Sequence, residues 1–123
     1  MAHTILLIED DPTSQALVKF GLAEKKYVVI TAEDGEEGLV AAQEKKPNLI
    51  VCDVQMPRMN GYEFMTELKK HEDLAQIPVI MLTGNETMQQ IFQMEGVQGY
   101  FVKPVNLPEL REKIVAILGE NPI

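Results

Sequence analysis

Five short apolar runs punctuate this sequence: Ile5 to Ile8, Tyr27 to Ile30, Leu49 to Cys52, Val79 to Leu82 and Tyr100 to Val102. Each has the length of a β-strand. A strand wet on one face alternates apolar and polar residues, whereas these runs are continuous and rich in Val and Ile. That is the pattern of strands covered on both faces, as in a parallel sheet packed between helices. Parallel neighbours need crossovers of a dozen or more residues, and the intervening segments are long enough for helices.

The first such segment opens with Pro12 at the first helical position behind Asp11 as cap, and places Leu17, Phe20 and Gly21 on one face. The second begins at Asp34, with Glu37 three residues on in a capping-box-like pattern. It presents Leu39 and Ala42 and ends before Pro47. The third follows the Asn60-Gly61 turn with Phe64, Met65 and Leu68 at helical spacing. The fourth is shorter, with Met88, Ile91 and Phe92. The last opens at Asn106, with Glu109 three residues on, and repeats Leu110, Ile114, Ile117 and Leu118. The pattern predicts an α/β chain of the (βα)5 kind with right-handed crossovers. The ligand site of such an open sheet lies beyond the carboxyl ends of its strands.

A chain of 123 residues can bury roughly two thirds of its unfolded surface, so residues 1–123 are expected to form one domain, with Gly119 to Ile123 as a frayed end. Eleven basic against nineteen acidic residues give a formal charge of -8. With no local basic stripe, this opposes direct binding to nucleic acid or an anionic membrane. The pairs Lys25-Lys26, Lys45-Lys46 and Lys69-Lys70 fall near helix C-termini, where they meet the helix dipole. The opening MAHTILLIEDD is neither a signal peptide nor a membrane span. One cysteine, Cys52, excludes an internal disulfide and suits a reducing compartment, so a cytoplasmic location is expected. Cys52 reads as a small buried strand residue whose thiolate is disfavoured by Asp53. His3 and His71 read as solvated surface residues.

The residues just past each strand carry the chemistry: Glu9, Asp10 and Asp11 after the first, Asp53 after the third, Thr83 after the fourth, Lys103-Pro104 after the fifth. The second strand contributes nothing, as an edge position would explain. Converging carboxylates repel, by about 3 kcal/mol for a pair about 5 Å apart at an effective dielectric of about 20. Lys103 supplies one compensating charge. A hard divalent cation suits the rest, and magnesium is held by one or two carboxylates plus water and phosphate oxygens. Glu9, Asp10 and Asp53 fit that description, while Asp11 is the better helix cap. A carboxylate beside such a metal can attack an incoming phosphoryl group, with a lysine neutralising the spreading charge. Thr83 then offers a hydroxyl to a phosphoryl oxygen, and Gly84 leaves room.

The strings IEDD, DVQMPRMNGYE, LTG and GYFVKP, in that order and near those spacings, resemble the receiver domain of two-component response regulators over essentially the whole chain. The resemblance implies a doubly wound, flavodoxin-like sheet of strand order 2-1-3-4-5. It implies Asp53 as phosphoacceptor and Glu9 and Asp10 as the acidic pair holding magnesium, Asp10 directly and Glu9 through water. The backbone carbonyl of Gln55 would be a further ligand. Thr83 and Lys103 would contact the phosphoryl group, Pro104 would follow a cis peptide bond, and Tyr100 would be the aromatic switch beside Thr83. Gln55 and Asn85 fall at positions that tune phosphoryl lifetime. The implied donor is a sensor histidine kinase or a histidine phosphotransfer protein, and the implied recipient of the signal is a target protein or an output domain. The signal would leave through the surface of the fourth helix, fifth strand and last helix. The chain would be a regulatory acceptor, limited to self-phosphorylation from small donors and autodephosphorylation, and no turnover enzyme.

Twenty positions separate Thr83 from Lys103, fewer than the family pattern by roughly half a helical turn, so a short or displaced fourth helix is expected. Other chemistries fit less well. An aspartyl phosphatase wants a second acid two residues past the nucleophile, where Gln55 stands. A flavin site wants a Ser/Thr/Gly-rich loop in place of Glu9-Asp10-Asp11. A nucleoside triphosphatase wants a glycine-rich loop ending in Lys-Ser/Thr. A degenerate receiver that binds partners without phosphorylation is opposed by the complete set of residues.

Overall fold

The structure, a computed structural model, describes residues 2–84 and 97–122. Its elements run β1 (Thr4–Ile8), α1 (Pro12–Ala23), β2 (Val28–Ala32), α2 (Gly35–Lys45), β3 (Leu49–Asp53), α3 (Gly61–Lys69), β4 (Val79–Thr83), β5 (Val97–Val102) and α4 (Leu107–Leu118). All strands pair in parallel in one sheet of order β2-β1-β3-β4-β5, the doubly wound arrangement expected. The fourth helical segment expected around Met88, Ile91 and Phe92 lies outside the described residues, as does Asn85. No described helix is long and apolar enough to cross a membrane.

Alternation along each strand builds two cores. Leu6 and Ile8 of β1, Ile50 and Cys52 of β3, and Val79 and Met81 of β4 face α2 and α3, where Ala42, Phe64, Met65 and Leu68 close the layer. Their neighbours Ile5, Leu7, Leu49, Val51, Ile80 and Leu82 face α1 and α4, against Val18, Leu22, Leu110 and Ile114. The period of two explains why the runs look continuous: both faces are dry.

Helix starts follow the local chemistry. Asp11, Asp34, Asn60 and Asn106 each accept from a backbone N–H three residues on, and Asn60 with Glu63 completes a reciprocal capping box. Asp34 is thus the cap of α2, the position its spacing to Glu37 implies. The strands differ in their limits. β2 begins one residue after Tyr27 and continues through Thr31 and Ala32, paired to Leu7 and Ile8. Asp53 and Thr83 are the last residues of their strands, and β5 starts three residues before Tyr100.

Four expectations need correction. Leu17 and Phe20 do not face the core: they are 62% and 70% exposed, while Val18, Gly21 and Leu22 form the inward stripe of α1. Phe20 stands about 200° from Val18 around the helix, and so faces away from the sheet. Lys25 and Lys26 lie beyond the end of α1, whose last turn holds no basic residue. The chain's end is tied down. Asn121 Oδ1 accepts from His3 N–H at 2.8 Å, Asn121 Nδ2 donates to the Lys25 carbonyl at 3.0 Å, and the Glu120 carbonyl meets the His3 ring at 3.1 Å. His3 also stacks on Tyr27, and His71 is half-buried beside Gln43. Neither histidine is simply solvated.

Candidate functional site

Parallel strands deliver their carboxyl ends to one edge of the sheet. The strand order reverses between β1 and β3, which opens a crevice between the loops that follow them. Glu9 and Asp10 enter it from β1 and Asp53 from β3, and one oxygen from each of these three side chains lies within 4.8 Å of the others. Asp10 is exposed, whereas Glu9 and Asp53 are buried. β2, at the sheet edge, sends no side chain to this cluster.

Glu9 is held on every side. Its N–H donates to the Ala32 carbonyl at 3.0 Å, and its own carbonyl accepts from the Gln15 side chain of α1 at 3.0 Å. Both carboxylate oxygens accept from Lys103 Nζ, at 3.0 and 2.9 Å. The same ammonium donates to Asp53 Oδ2 at 3.1 Å. Lys103 reaches the site from the end of β5, where its N–H donates to the Thr83 carbonyl at 2.7 Å. The Lys103–Pro104 peptide bond is cis. Thr83, buried at the end of β4, lies one residue past Leu82, the partner of Asp53 in the sheet. Gln55 N–H points at Asp53 Oδ1 across 3.4 Å.

The close turn after Asp53 depends on Gly61. A Cβ there would lie 2.9 Å from the Asp53 carbonyl oxygen and 3.0 Å from Val54 Cα, so only glycine lets α3 start against the strand that carries Asp53. Tyr100, half-buried on β5, packs at the margin of the α2–α3 core and pairs with Met81 in the sheet.

Burial dominates the electrostatics. It raises the Glu9 carboxyl above its ordinary value; Lys103 opposes this through a hydrogen bond and its charge, and the Asp53 charge adds to the rise. Asp53 is likewise raised by burial and by Asp10, against the pull of Lys103 and the Gln55 N–H. Burial alone would lower Lys103, but Glu9 and Asp53 together hold it above its ordinary value. Cys52 is pushed well up by burial, then by Asp53 and Glu9, and its thiol donates to the Asp53 carbonyl at 3.3 Å. It is an inert strand residue.

The structure therefore gathers Glu9, Asp10, Asp53 and Lys103 into one cluster, with Thr83 bonded through its backbone to Lys103. Sequence reasoning missed Gln15, which fixes the Glu9 carbonyl, and Arg58, whose guanidinium meets Asp34. The donor set fits a hard cation: three carboxylates, two of them desolvated, face one lysine.

Comparison with known proteins points the same way. The family pattern of the response regulator receiver domain matches residues 5–115. PhoP, the alkaline phosphatase synthesis transcriptional regulatory protein of Bacillus subtilis, is 34% identical over 125 residues, covering 100% of this chain and 51% of PhoP. The chain thus spans about half the length of curated relatives such as PhoP. The chemotaxis protein CheY4 of Vibrio cholerae superposes with a TM-score of 0.88 at 30% identity, over 96% of this chain and 100% of that one. TrrA of Thermotoga maritima, solved in complex with Mg2+ and BeF, gives a TM-score of 0.85 at 31% identity, over 94% of this chain and 99% of TrrA.

Proposed function

This chain belongs to the response regulator receiver family, and from that premise we propose that Asp53 is its phosphoacceptor, in a signalling switch of a two-component or phosphorelay system. The observation that carries this reading is the Lys103 ammonium 3.1 Å from Asp53 Oδ2, within a cluster of three carboxylates.

An Asp53 carboxylate oxygen attacks the phosphorus of a phosphohistidine on a histidine kinase or phosphotransfer protein. The new P–O bond forms as the P–N bond breaks, and the imidazole leaves with the bonding pair and takes up a proton. With a small acyl phosphate the leaving group is the carboxylate. Lys103, already charged, turns its donors from Glu9 and Asp53 to the phosphoryl oxygens, and the Thr83 hydroxyl donates to another. Magnesium would be held by Asp10, Asp53 and the Gln55 carbonyl, with Glu9 acting through water. When bound it offsets the charge spread over the transferring group. Water later attacks the phosphorus as the P–O bond to Asp53 breaks, releasing inorganic phosphate and restoring the free carboxylate. No further turnover chemistry is assigned to the chain.

Thr83 ends β4, Tyr100 lies within the neighbouring β5, and together they connect the acceptor to the β5–α4 face. That face forms the output surface, read by a target protein or an attached output domain. A free, buried Cys52 suits a reducing compartment and supports a cytoplasmic reading. The test is incubation with acetyl phosphate and magnesium, followed by intact mass and peptide mapping. A single added phosphoryl group on Asp53 is expected, none on Asp53→Asn, and weaker magnesium binding by Asp10→Asn. Equal labelling of Asp53→Asn refutes the assignment.

A further inference from the structure

The chain between β3 and α3 is closed into a loop at Val54, whose N–H donates to the Leu82 carbonyl at 2.9 Å and whose carbonyl accepts from Gly61 N–H at 2.8 Å. Residues 55–60 hang between these fixed ends. Gln55 begins the loop, its N–H directed at Asp53 Oδ1. Arg58 forms its tip with φ 66°, and across it Met59 N–H donates to the Pro57 carbonyl at 2.7 Å. A three-residue turn about a positive-φ centre is a rare and strained form of γ-turn. An arginine in that position, where glycine would be unstrained, persists only if its surroundings over-determine it.

The Arg58 side chain supplies that determination. Its Nη2 lies 2.8 Å from Asp34 Oδ2, and the Asp34 side chain is only 6% exposed. The other Asp34 oxygen accepts from Glu37 N–H at 2.9 Å and caps α2, so each oxygen has its own task. A pair between two exposed groups would matter little, but here one partner is a buried carboxylate, which loses its counter-charge if Arg58 is removed. The next residue adds packing: Met59 lies so close to Gly35 that a Cβ there would come 2.8 Å from Met59 Cγ. The tip of the acceptor loop is therefore fastened to the start of α2 by two consecutive residues, one through charge and one through contact.

We propose that Arg58 is a positioning residue: by pairing with Asp34 it holds the β3–α3 loop so that the Gln55 backbone stays beside Asp53. It thereby sets both the cation affinity of the acidic cluster and the rate at which Asp53 accepts a phosphoryl group. The inference rests on the reading of Asp53 as acceptor. Arg58 acts through the loop, since its side chain is directed to Asp34 and not to the carboxylates of the cluster.

Substitutions separate this role from a turn-making one. Glycine takes the positive φ freely, so if Arg58 served only the turn, Arg58→Gly would match the wild type. Positioning through the ion pair predicts instead that Arg58→Gly weakens magnesium binding to the unphosphorylated protein by about 10-fold, the low end of what outer-shell partners of a metal site contribute. The saturating rate of labelling by acetyl phosphate should fall by a similar factor, while the half-saturating donor concentration stays unchanged. Asp34→Asn keeps a capping oxygen and should show a lesion of the same size. The double variant Asp34→Asn/Arg58→Gly should be no worse than either single one, and Arg58→Lys should recover most of the loss. Magnesium affinity is read by calorimetry, labelling by intact mass, and folding by thermal melting. Wild-type affinity and rate in Arg58→Gly, or additive losses in the double variant, overturn the proposal. Should Asp34→Asn not fold, Arg58→Gly alone decides it. If the wild type gains no label on Asp53, the acceptor reading itself falls.

Discussion

Lys103 Nζ lies 3.0 and 2.9 Å from the two carboxylate oxygens of Glu9, so the most buried acid of the cluster has the lysine as its close counter-charge. Glu9 is fully buried, whereas about a quarter of the Lys103 side chain, 26%, meets solvent. The arrangement makes the lysine a structural element of the resting protein, besides its proposed role as a contact for an incoming phosphoryl group. Its removal leaves two desolvated carboxylates facing an exposed third.

Lys103→Met should therefore destabilise the metal-free protein at neutral pH by about 2–3 kcal/mol, somewhat below the cost of breaking a fully buried pair because the lysine is partly solvated. Magnesium should restore part of the loss by mass action on the folded state. Urea unfolding with and without magnesium measures both, and a variant as stable as wild type without metal would show that Glu9 does not depend on this partner.

The pH dependence follows from the same three groups. Glu9 and Asp53 have raised pKa values in the folded state, so between their ordinary and raised values the folded chain holds more protons than the unfolded one. Stability then falls as pH rises through that window. Lys103, also raised, contributes stability that is complete below its unfolded value and is lost as pH climbs through its folded value at the alkaline end. Asp73, lowered by Lys46, works in the opposite sense, but it is exposed and screened. Calorimetric melting without metal should show the wild type losing stability relative to Asp53→Asn as pH rises from the weakly acidic range to neutrality. A difference that is flat or reversed would contradict the assignment.

At the other end of the sheet, the Asn121 side chain joins the end of the chain to His3 and Lys25. Asn121→Ala removes two hydrogen bonds at a partly exposed place, with an expected cost of about 1 kcal/mol and a fall in Tm of about 3–5 °C. Labelling of Asp53 should not change. Faster amide exchange confined to residues 2–4 and 119–122 would locate the effect, and unchanged Tm and exchange would show that the clasp does not hold.

Much of this architecture was legible because burial on two sides leaves a direct trace: continuous runs such as Leu49 to Cys52 have no other economical reading, and the residues that end them must share one sheet edge. Strand limits were less legible where polarity intrudes. Thr31 and Ala32 extend β2, and Val97, Gln98 and Gly99 precede the recognisable Tyr100 to Val102. The inward face of α1 was misassigned because Leu17 and Phe20 are as apolar as Val18 and Leu22, and only packing on the sheet decides between them. In the site, Glu9, Asp10, Asp53 and Lys103 were found by position at strand ends. Arg58 with Asp34, 24 residues apart, and His3 with Asn121, 118 apart, carry no local signal, because such pairs exist only once the fold has placed them.

The proposed output step rests on Thr83, the last residue of β4, and Tyr100, within the paired strand β5. Thr83 is buried at the end of β4 next to Lys103, and Tyr100 pairs with Met81 two residues before it. In the proposed coupling, a phosphoryl group on Asp53 presents charged oxygens that accept a hydrogen bond from the Thr83 hydroxyl, and this biases an existing equilibrium toward Thr83 drawn to the acceptor. The same proposal has Tyr100 turn inward into the space vacated, with the change expected to reach β5 and the start of α4. Beryllium fluoride, an acyl-phosphate mimic, allows the step to be followed without hydrolysis. Backbone amide shifts on its addition should extend beyond the Asp53 loop to β5 and the first turns of α4 in the wild type. In Thr83→Ala the shifts around Asp53 should remain while those at Tyr100 and beyond shrink severalfold. Distal shifts of undiminished size in Thr83→Ala, or wild-type shifts confined to the loops carrying Glu9, Asp53 and Lys103, would break the proposed coupling.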